Sequence, residues 1–569
     1  MPHSKFYFLI IRTIRTFAYL LICTFIFSCA QIVAPGGGAK DILPPRVLKY
    51  SPDSAQLNFV AKTVEINFNE FIQLKDLNNQ LIISPPMEKA PNITIKNKTL
   101  DIELDNNEKL KPSTTYCISF GNALQDLNEG NTLENFKYIF STGSFIDSMK
   151  LTGKVQNGFN LATEKGVLVM LYSDMSDSVV YKSRPDYFAK TEKDGTFQIN
   201  NIKAGKYKLA AVKDANSNYK YDGETESIGF ANAPIDISEK QNIVIALFQE
   251  PEKKVYLKKY VYNSYGKVTL LFNQNSNTVK INNLTKNVDV TEYFEDSKNK
   301  DSLTYWFNNF EKDSLKLQII IDDKITDTLE FKTIKKQDAL RSKRNPLKLS
   351  LLLSPGGNQS FDLTGNLSLL FNNAIKNYSS DSISFKEDTI DISKNLGFAL
   401  FEENYCRIKL ETRSLENSNT GGVILTRSPL KFKENTNYHL LIPPGTFTDV
   451  FGLTNDSIKV DFKTREEKYY GSVKLNLTIP ETKGNYIVQL LDEQDRVVRE
   501  DNIQKSTILS YAYLYPRKYK LKIIYDDNSN HKWDTGNYLK QLQPEKVIYN
   551  SELINIRSNW DADLVWKIE

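Results

Sequence analysis

Two short polar segments of the chain carry carboxylate and amide side chains at the same spacing. In the segment DANSNYKYD, Asp214, Asn216, Asn218 and Asp222 occupy the first, third, fifth and ninth places. Oxygen-bearing side chains at alternate positions are typical of EF-hand calcium loops, because Ca²⁺ takes about six to eight oxygen ligands. The segment DDNSNHKWD repeats the pattern with Asp526, Asn528, Asn530 and Asp534.

Two interpretations of these segments stay open. A calcium loop normally has glycine at the sixth place and a bidentate glutamate at the twelfth, whereas Tyr219 and His531 stand at the sixth. Two carboxylates per loop therefore predict at best weak Ca²⁺ binding, with Kd on the order of 10⁻⁴–10⁻³ M. The favoured interpretation is a hairpin loop held by Asx turns, with Tyr221 and Trp533 packed over the sheet edge.

The residue inventory gives no local basis for an enzyme. The chain has three histidines, His3, His439 and His531, which lie far apart and build no zinc motif. No nucleophile elbow, phosphate-binding glycine loop or dinucleotide fingerprint is present. The net charge of +4 gives no indication of nucleic acid binding. We therefore predict a protein that is not an enzyme and that has no cofactor, apart from weakly bound Ca²⁺.

The N-terminal residues predict a lipoprotein signal peptide over residues 1–28. Basic residues precede the apolar run FAYLLICTFIFS, which is too short to span a bilayer comfortably. The run ends in Ile26–Cys29, which resembles a lipobox. That resemblance implies acylation of Cys29 by palmitate-like chains. The Gly/Pro-rich composition of residues 29–46 predicts a tether. The alternative is a signal-anchor helix from Phe6 to Ser28.

Strand-like runs between turn signals recur throughout the chain, which predicts β-sandwiches. VEINFNEFI and LKPSTTYCISF, followed by Asp126, Gly130 and Thr132, match the later LSLLFNNAI and FKENTNYHLLI, followed by Asp449, Gly452 and Thr454. With Gly-Gly-Ala-Lys-Asp and Pro-Pro ahead of the first copy, this order resembles the SbsA-type bacterial Ig-like domain of Bacteroidota lipoproteins. The resemblance implies Ig-like domains at residues 47–145 and 347–466.

A second pair of domains surrounds the polar segments, at residues 149–250 and 467–569. The first copy resembles a carboxypeptidase regulatory-like, transthyretin-type sandwich through Gly153, the Asp194-Gly195 hairpin and the run Ala204-Gly205-Lys206-Tyr207. The second copy has Arg517 where the first has Gly205. A duplicated sandwich would explain why the polar segment occurs twice.

The predicted class is therefore all-β: tandem Ig-like and transthyretin-like β-sandwiches after a lipoprotein signal peptide. A further sandwich of unassigned type fills residues 251–336, and residues 332–348 form a basic linker. We expect a string of about five sandwiches that extends from the membrane.

A short modification pattern, Asp followed by Ser or Thr and an aliphatic residue, recurs along the chain. It resembles the O-glycosylation sequon of Bacteroidota envelope proteins, and the alternative is that Asp-Ser pairs simply start strands. The candidate hydroxyls belong to Ser54, Ser148, Ser178, Ser302, Ser314, Thr328, Ser382, Thr389 and Ser457.

The sequence thus predicts a non-enzymatic, lipid-anchored cell-envelope protein that acts in scaffolding or binding. Its expected partners are the lipid bilayer, through acylated Cys29, and an envelope protein or glycan. By analogy with the lipoproteins that the chain resembles, Ala30 directly after Cys29 implies the outer membrane. Surface export in that group usually needs acidic residues close behind the cysteine, and none occurs before Asp41, so the periplasmic face is favoured over the cell surface. One alternative is a glycan- or polypeptide-binding accessory of an outer-membrane transport system, with Trp306, Trp560 and Trp566 as candidates for an exposed aromatic row. The other is a hydrolase with an unrecognised site.

Overall fold

The computed structural model describes residue 15 and residues 41–568, except 239–241, 275–278, 286–290, 297–300, 309–311, 344–347, 354–359, 366, 380–382, 402–403, 418–422 and 481–483. Cys29 and Ser382 lie outside these residues. Among those described, no helix has the length and apolar character needed to cross a membrane. Strands dominate, which confirms the predicted all-β class. The short helices are α1 (Leu77–Gln80), α2 (Val179–Lys182) and α3 (Lys336–Arg341), with 3₁₀ turns at Ser393–Asn395 and Glu467–Tyr469.

The first sandwich (residues 47–141) is built from strands whose side chains alternate between core and solvent, as Val64, Ile66 and Phe68 show. Its strands are β1 (Val47–Ser51), β2 (Thr63–Phe68), β3 (Ile72–Leu74), β4 (Ile82–Ser84), β5 (Asn92–Lys96), β6 (Thr99–Glu103), β7 (Thr115–Gly121), β8 (Leu124–Asp126) and β9 (Phe136–Ser141). The sheets have the orders β1-β2-β6-β5 and β4-β7-β9, with the separate pair β3-β8.

The second sandwich (residues 149–249) contains β10 (Met149–Asn157), β11 (Leu168–Tyr172), β12 (Tyr187–Lys190), β13 (Thr196–Ile202), β14 (Lys206–Val212), β15 (Ser227–Phe230), β16 (Ile235–Asp236) and β17 (Asn242–Gln249). Its hydrogen-bonded order is β12-β11-β14-β15-β17-β10-β13, and β16 pairs with β14. Gly153 in β10 is required by close approach, because a Cβ there would lie 2.3 Å from the carbonyl oxygen of Ile243 in β17.

The third sandwich (residues 257–332) contains β18 (Leu257–Ser264), β19 (Lys267–Phe272), β20 (Val279–Asn283), β21 (Thr291–Asp296), β22 (Ser302–Asn308), β23 (Ser314–Ile321) and β24 (Lys324–Lys332). Its two sheets have the orders β18-β19-β22-β21 and β20-β23-β24. Their facing apolar side chains form one core, which includes Val268, Leu270, Leu317 and Ile319.

The fourth sandwich (residues 351–463) contains β25 (Leu351–Leu353), β26 (Ser368–Phe371), β27 (Ile375–Tyr378), β28 (Ser384–Glu387), β29 (Ile390–Asp391), β30 (Leu396–Phe401), β31 (Asn404–Asn417), β32 (Val423–Pro429), β33 (Asn437–Ile442), β34 (Phe447–Asp449) and β35 (Ile458–Lys463). The sheet orders are β25-β26-β31-β30, with β32 on β31, and β29-β28-β33-β35, with the separate pair β27-β34.

The fourth sandwich repeats two local features of the first. The hydroxyl of Tyr116 accepts the backbone N–H of Lys111 at 2.8 Å, and that of Tyr438 accepts the N–H of Lys433 at 3.0 Å. In the hairpins after these strands, the buried carboxylates of Asp126 and Asp449 each accept backbone N–H groups of the following turn. The structure therefore places both copies of the Tyr and Asp motifs in the same roles.

The fifth sandwich (residues 471–567) contains β36 (Gly471–Thr478), β37 (Asn485–Leu491), β38 (Val497–Ile503), β39 (Thr507–Leu514), β40 (Lys518–Asp526), β41 (Val547–Tyr549), β42 (Ile554–Asn555) and β43 (Asp561–Lys567). Its strand pairing repeats that of the second sandwich except for the β15–β17 pair, so its strands form two sheets, β39-β36-β43 and β38-β37-β40-β41, with β42 on β40. The first strand lies parallel to the last in both (β10 with β17, β36 with β43), and β40 pairs with β37, β41 and β42 as β14 pairs with β11, β15 and β16. This shared strand pairing is what duplication of one sandwich would produce.

The sandwiches do not form a simple string, so that expectation is wrong. Successive sandwiches contact one another, as Asn308 Nδ2 of the third does when it donates to the carbonyl oxygen of Val450 in the fourth at 2.9 Å. In addition, the fifth sandwich returns to the second: the hydroxyl of Thr535 donates to the carbonyl oxygen of Gln249 at 2.8 Å. The reason is a long connection between β40 and β41 that carries apolar and amide side chains onto the second sandwich.

Candidate functional site: two polar loops and a contact between sandwiches

The first polar loop (Asp214–Asp222) follows β14 and is held by its own side chains. Asp214 accepts the backbone N–H groups of Asn218 at 3.3 Å and Tyr219 at 2.8 Å. Asp222 accepts the Nδ2 groups of Asn216 at 2.5 Å and Asn218 at 2.8 Å. The four residues singled out by the sequence are therefore brought together.

The second polar loop (Asp526–Asp534) follows the equivalent strand β40 and has the same geometry. Asp526 accepts the backbone N–H groups of Asn530 at 3.0 Å and His531 at 3.1 Å. Asp534 accepts the Nδ2 groups of Asn528 and Asn530, each at 2.5 Å. The recurrence of every bond shows that the duplicated sequence codes for one loop structure.

The sixth residue of each loop replaces the glycine of a calcium loop without changing the bend. Tyr219 has φ +63° and His531 has φ +62°, both in the left-handed region that glycine usually supplies. The carboxylates of Asp214 and Asp526 receive the N–H groups of these two residues. These bonds compensate for part of the cost of the conformation.

Sequence reasoning missed one glutamate in each loop. Glu226 accepts the backbone N–H groups of Ala215 at 2.8 Å and Asp222 at 3.0 Å. Glu545 accepts those of the matching residues, Asp527 and Asp534, each at 2.9 Å. Both glutamates are buried. Their spacing from the loop differs, since Glu226 follows Asp222 by four residues and Glu545 follows Asp534 by eleven, and this difference hid the equivalence.

The surroundings of the second polar loop change the pKa of Glu545. Burial, together with the charges of Asp534 and Asp526, raises the pKa of the Glu545 carboxyl, and two backbone N–H donors oppose that rise. Within the described residues, no three His, Cys, Asp or Glu side chains are grouped to hold a metal ion. In both polar loops the aspartate carboxylates are hydrogen-bonded by backbone and amide N–H groups.

The residues after the second polar loop form a docking segment (residues 535–545) that lies on the second sandwich. Tyr538 is 0% exposed and packs its ring against Phe230 at 5.2 Å and Tyr181 at 5.9 Å between centroids. Gln543 Nε2 donates to the carbonyl oxygen of Phe230 at 3.0 Å and to Asn232 Oδ1 at 2.6 Å. The fifth sandwich thus contributes an aromatic side chain to the apolar core of the second.

Glu250 joins the two duplicated sandwiches at this contact. Its buried carboxylate accepts the hydroxyl of Tyr221, from the first polar loop, at 2.9 Å. It also accepts the backbone N–H of Tyr538, from the docking segment, at 2.7 Å. Burial and the Glu250 charge raise the pKa of Tyr221, so that hydroxyl stays a donor.

A buried lysine lies at the edge of the same contact. Lys522 is 1% exposed in β40, and its Nζ lies 3.2 Å from the ring centroid of Phe159 in the second sandwich. The Phe159 ring also meets Trp533 of the second polar loop at 5.0 Å. Burial lowers the pKa of Lys522 to about 8, and the charge of Asp495 only partly opposes that shift.

The candidate glycosylation residues occupy varied positions. Ser302 and Ser314 begin β22 and β23, and Ser148 and Ser457 directly precede β10 and β35, as the strand-start interpretation requires. Of those described, Ser148, Thr328, Thr389 and Ser457 are exposed and Ser54, Ser178, Ser302 and Ser314 are half-buried. Both interpretations therefore remain open.

Comparison with known proteins identifies one domain. Residues 41–142 match the model of the bacterial Ig-like domain. The major pilin subunit BcpA of Bacillus cereus is 9% identical, with 74% of this chain and 99% of that chain covered at a TM-score of 0.13. The Bacillus anthracis TIE protein is 10% identical, with 94% and 76% covered at a TM-score of 0.14. Because these TM-scores are low, neither structure indicates a function for this chain. Curated protein sequences give no match. The first sandwich is thus similar to the bacterial Ig-like domain.

Proposed function

We propose that the chain is a non-enzymatic, lipid-anchored protein of the cell envelope whose sandwiches act as a scaffold and present binding loops. The observation that carries the proposal is the burial of Tyr538 of the fifth sandwich in the core of the second. Domains joined only by linkers move relative to one another by default. The contact between the fifth and the second sandwich would limit such movement. It therefore suits a rigid scaffold that holds its binding loops at fixed distances.

The proposed anchor is a lipid on Cys29. The run Ile26–Cys29 supports it through its aliphatic, small and cysteine positions. The Gly- and Pro-containing residues 34–45 would separate the sandwiches from the bilayer. Several acyl chains give stable attachment, since each buried CH₂ contributes about 0.8 kcal/mol. We propose the outer membrane as the location, with the periplasmic face favoured.

The anchor is tested by labelling cells with an alkyne analogue of palmitate and measuring incorporation into the full chain. We expect label in the wild type and in Cys23→Ser, a matched control in the apolar run, and none in Cys29→Ser. Label that persists in Cys29→Ser, or a wild type without acyl groups by intact mass, would overturn the proposal.

The scaffold is tested by the dimensions in solution of the chain from residue 30 onward, which lacks both the acylated cysteine and the apolar run. Small-angle scattering should give a larger radius of gyration for Tyr538→Ala than for the parent, because the fifth sandwich is released from the second. Tyr538→Phe, which keeps the ring, should match the parent. Equal dimensions for all three chains would show that the contact does not fix the arrangement.

A second candidate function is binding of a polypeptide or glycan for an outer-membrane transport system. Trp306 is fully buried and Trp566 half-buried, so these residues form no exposed aromatic row with Trp560. Trp560 alone is 45% exposed, in a concave junction between the fourth and fifth sandwiches. Co-purification of the wild type and Trp560→Ala from envelopes tests this function: a partner should be retained by the first and lost by the second.

A further inference from the structure

The junction groove lies where the fourth sandwich meets the fifth. Its larger lobe has a volume of about 830 Å³ and its smaller lobe about 480 Å³. Glu434, Glu467 and Tyr513 line both lobes, so the two form one elongated concavity. The larger volume falls within the range of about 300–1,000 Å³ that is typical of ligand sites.

Carboxylates dominate the charge of the larger lobe. Glu434, Glu466, Glu467 and Asp561 line it, with Lys468 as the one basic residue among the described lining. Lys468 pairs with Glu466 at 2.7 Å. The charge of the lobe is therefore −3, from four carboxylates and one ammonium.

The other three carboxylates are held by neutral donors. Glu434 accepts the backbone N–H of Glu467 at 2.7 Å, and Glu467 accepts the hydroxyl of Tyr513 at 3.1 Å. Asp561 accepts the hydroxyl of Ser472. Lys468 also acts electrostatically on Glu434, and Lys431 lines the smaller lobe, so the whole groove has a charge of −2 from four carboxylates and two ammonium groups. A ligand can supply the missing positive charge.

The groove also contains an aromatic side chain that already takes a cation. The guanidinium of Arg557 lies 4.9 Å from the ring centroid of Trp560. The indole is the strongest cation–π acceptor among protein side chains. A second lysine or arginine side chain that reaches the exposed part of Trp560 would find carboxylates and an aromatic surface in one place.

Three lining residues have left-handed backbone conformations. Asn435 has φ +51° and Asn559 has φ +53°, which asparagine tolerates, but Tyr513 has φ +55°. A bulky residue rarely adopts this conformation, and such strained residues cluster at active sites and ligand clamps. The hydroxyl of Tyr513 donates to Glu467, and both residues line both lobes.

We propose that the junction groove binds an extended polypeptide segment that carries lysine or arginine. The inference rests on the second candidate function and is independent of the lipid anchor. Anionic ligands such as lipopolysaccharide phosphates are disfavoured by the uncompensated carboxylates. A neutral glycan would use Trp560 but would gain nothing from Glu434, Glu467 and Asp561 as charges.

The test measures binding of fluorescent octalysine to the chain from residue 30 onward by anisotropy, with octaglutamine and maltohexaose as neutral probes. We expect octalysine to bind at low salt and to weaken as salt screens the charges. The triple variant Glu434→Gln/Glu467→Gln/Asp561→Asn should lose about tenfold in affinity, at roughly 0.5 kcal/mol for each exposed charge pair. Trp560→Ala should also weaken binding.

Two controls separate the groove from global charge and from misfolding. The variant Asp313→Asn/Asp323→Asn/Glu330→Gln removes three exposed carboxylates from the third sandwich and should leave affinity unchanged. Lys468→Gln frees Glu466 and should bind octalysine more tightly, a gain that misfolding cannot produce. Equal losses in both triple variants, or no octalysine binding at low salt, would overturn the inference. Binding of maltohexaose at Trp560 would overturn it too, but would leave the second candidate function standing.

Discussion

The backbone N–H of Tyr538 donates to the carboxylate of Glu250 at 2.7 Å across 288 residues of sequence. The bond is buried, and the ring of Tyr538 lies in the apolar core of the second sandwich. Long-range contacts of this kind determine whether a multi-sandwich chain is a flexible row or a fixed frame. The stability of this contact is therefore the first property to measure.

Truncation of Tyr538 should destabilise the contact strongly. We expect Tyr538→Ala to lower the free energy of unfolding by about 3–5 kcal/mol, because it removes a fully buried aromatic ring. The hydroxyl of Tyr538 has no hydrogen-bond partner among the described residues, so Tyr538→Phe should be neutral or stabilising. Urea denaturation followed by tyrosine and tryptophan fluorescence gives both values. Similar stabilities for Tyr538→Ala and the wild type would contradict the observed burial.

Lys522 should make stability depend on pH in the alkaline range. The pKa of Lys522 is about 8 in the folded chain, compared with 10.5 for an ordinary lysine. Between these values the unfolded chain binds a proton that the folded chain does not, so this residue's contribution to stability rises with pH and is least favourable below about pH 8. The ring of Phe159 favours the charged form and limits the shift.

The variant Lys522→Met isolates this effect. We expect Lys522→Met to be more stable than the wild type near neutral pH, because it removes a buried ammonium. Its advantage should shrink as the pH rises towards about 10, and thermal melts of both chains at several pH values measure it. An advantage that does not vary with pH would show that Lys522 keeps an ordinary pKa.

Calcium should have little effect on the polar loops. In the first loop the Oδ1 atoms of Asn216 and Asn218 accept the backbone N–H groups of Asn218 and Lys220, while their Nδ2 groups bind Asp222. The oxygen and the nitrogen of each side-chain amide are both hydrogen-bonded, which defines the orientation of the amide. Melts with millimolar Ca²⁺ and with chelator should therefore agree. A rise in Tm with Ca²⁺, abolished by Asp222→Asn and Asp534→Asn together, would instead establish weak metal sites.

Glycosylation at the Asp-Ser and Asp-Thr pairs would raise the mass of the protein by one glycan for each modified hydroxyl. Should the pattern be a sequon, the exposed hydroxyls of Ser148, Thr328, Thr389 and Ser457 are the expected positions, because a transferase needs access to the hydroxyl. Intact mass of the native protein, with Thr389→Val and Ser457→Ala as variants, distinguishes the two interpretations. A mass without any glycan would assign the pairs to strand starts.

Much of the fold follows from local sequence patterns. The inward Tyr116 and Tyr438 and the turn carboxylates Asp126 and Asp449 were predictable, because alternation and turn chemistry act over a few residues. Glu226 and Glu545 were not, since their distances from the loop differ. Tyr538 was not either: it lies in a connection without periodicity, and its burial depends on how two distant sandwiches meet.

The parallel pairing of first and last strands in the second and fifth sandwiches has a mechanical consequence. Because β10 lies beside β17 and β36 beside β43 in the same direction, a pull on the two ends of either sandwich shears the whole ladder. All its hydrogen bonds then carry load together, instead of opening one after another. Resistance to forced unfolding is a rate property, and these two sandwiches should yield last when the two ends of the chain are pulled apart.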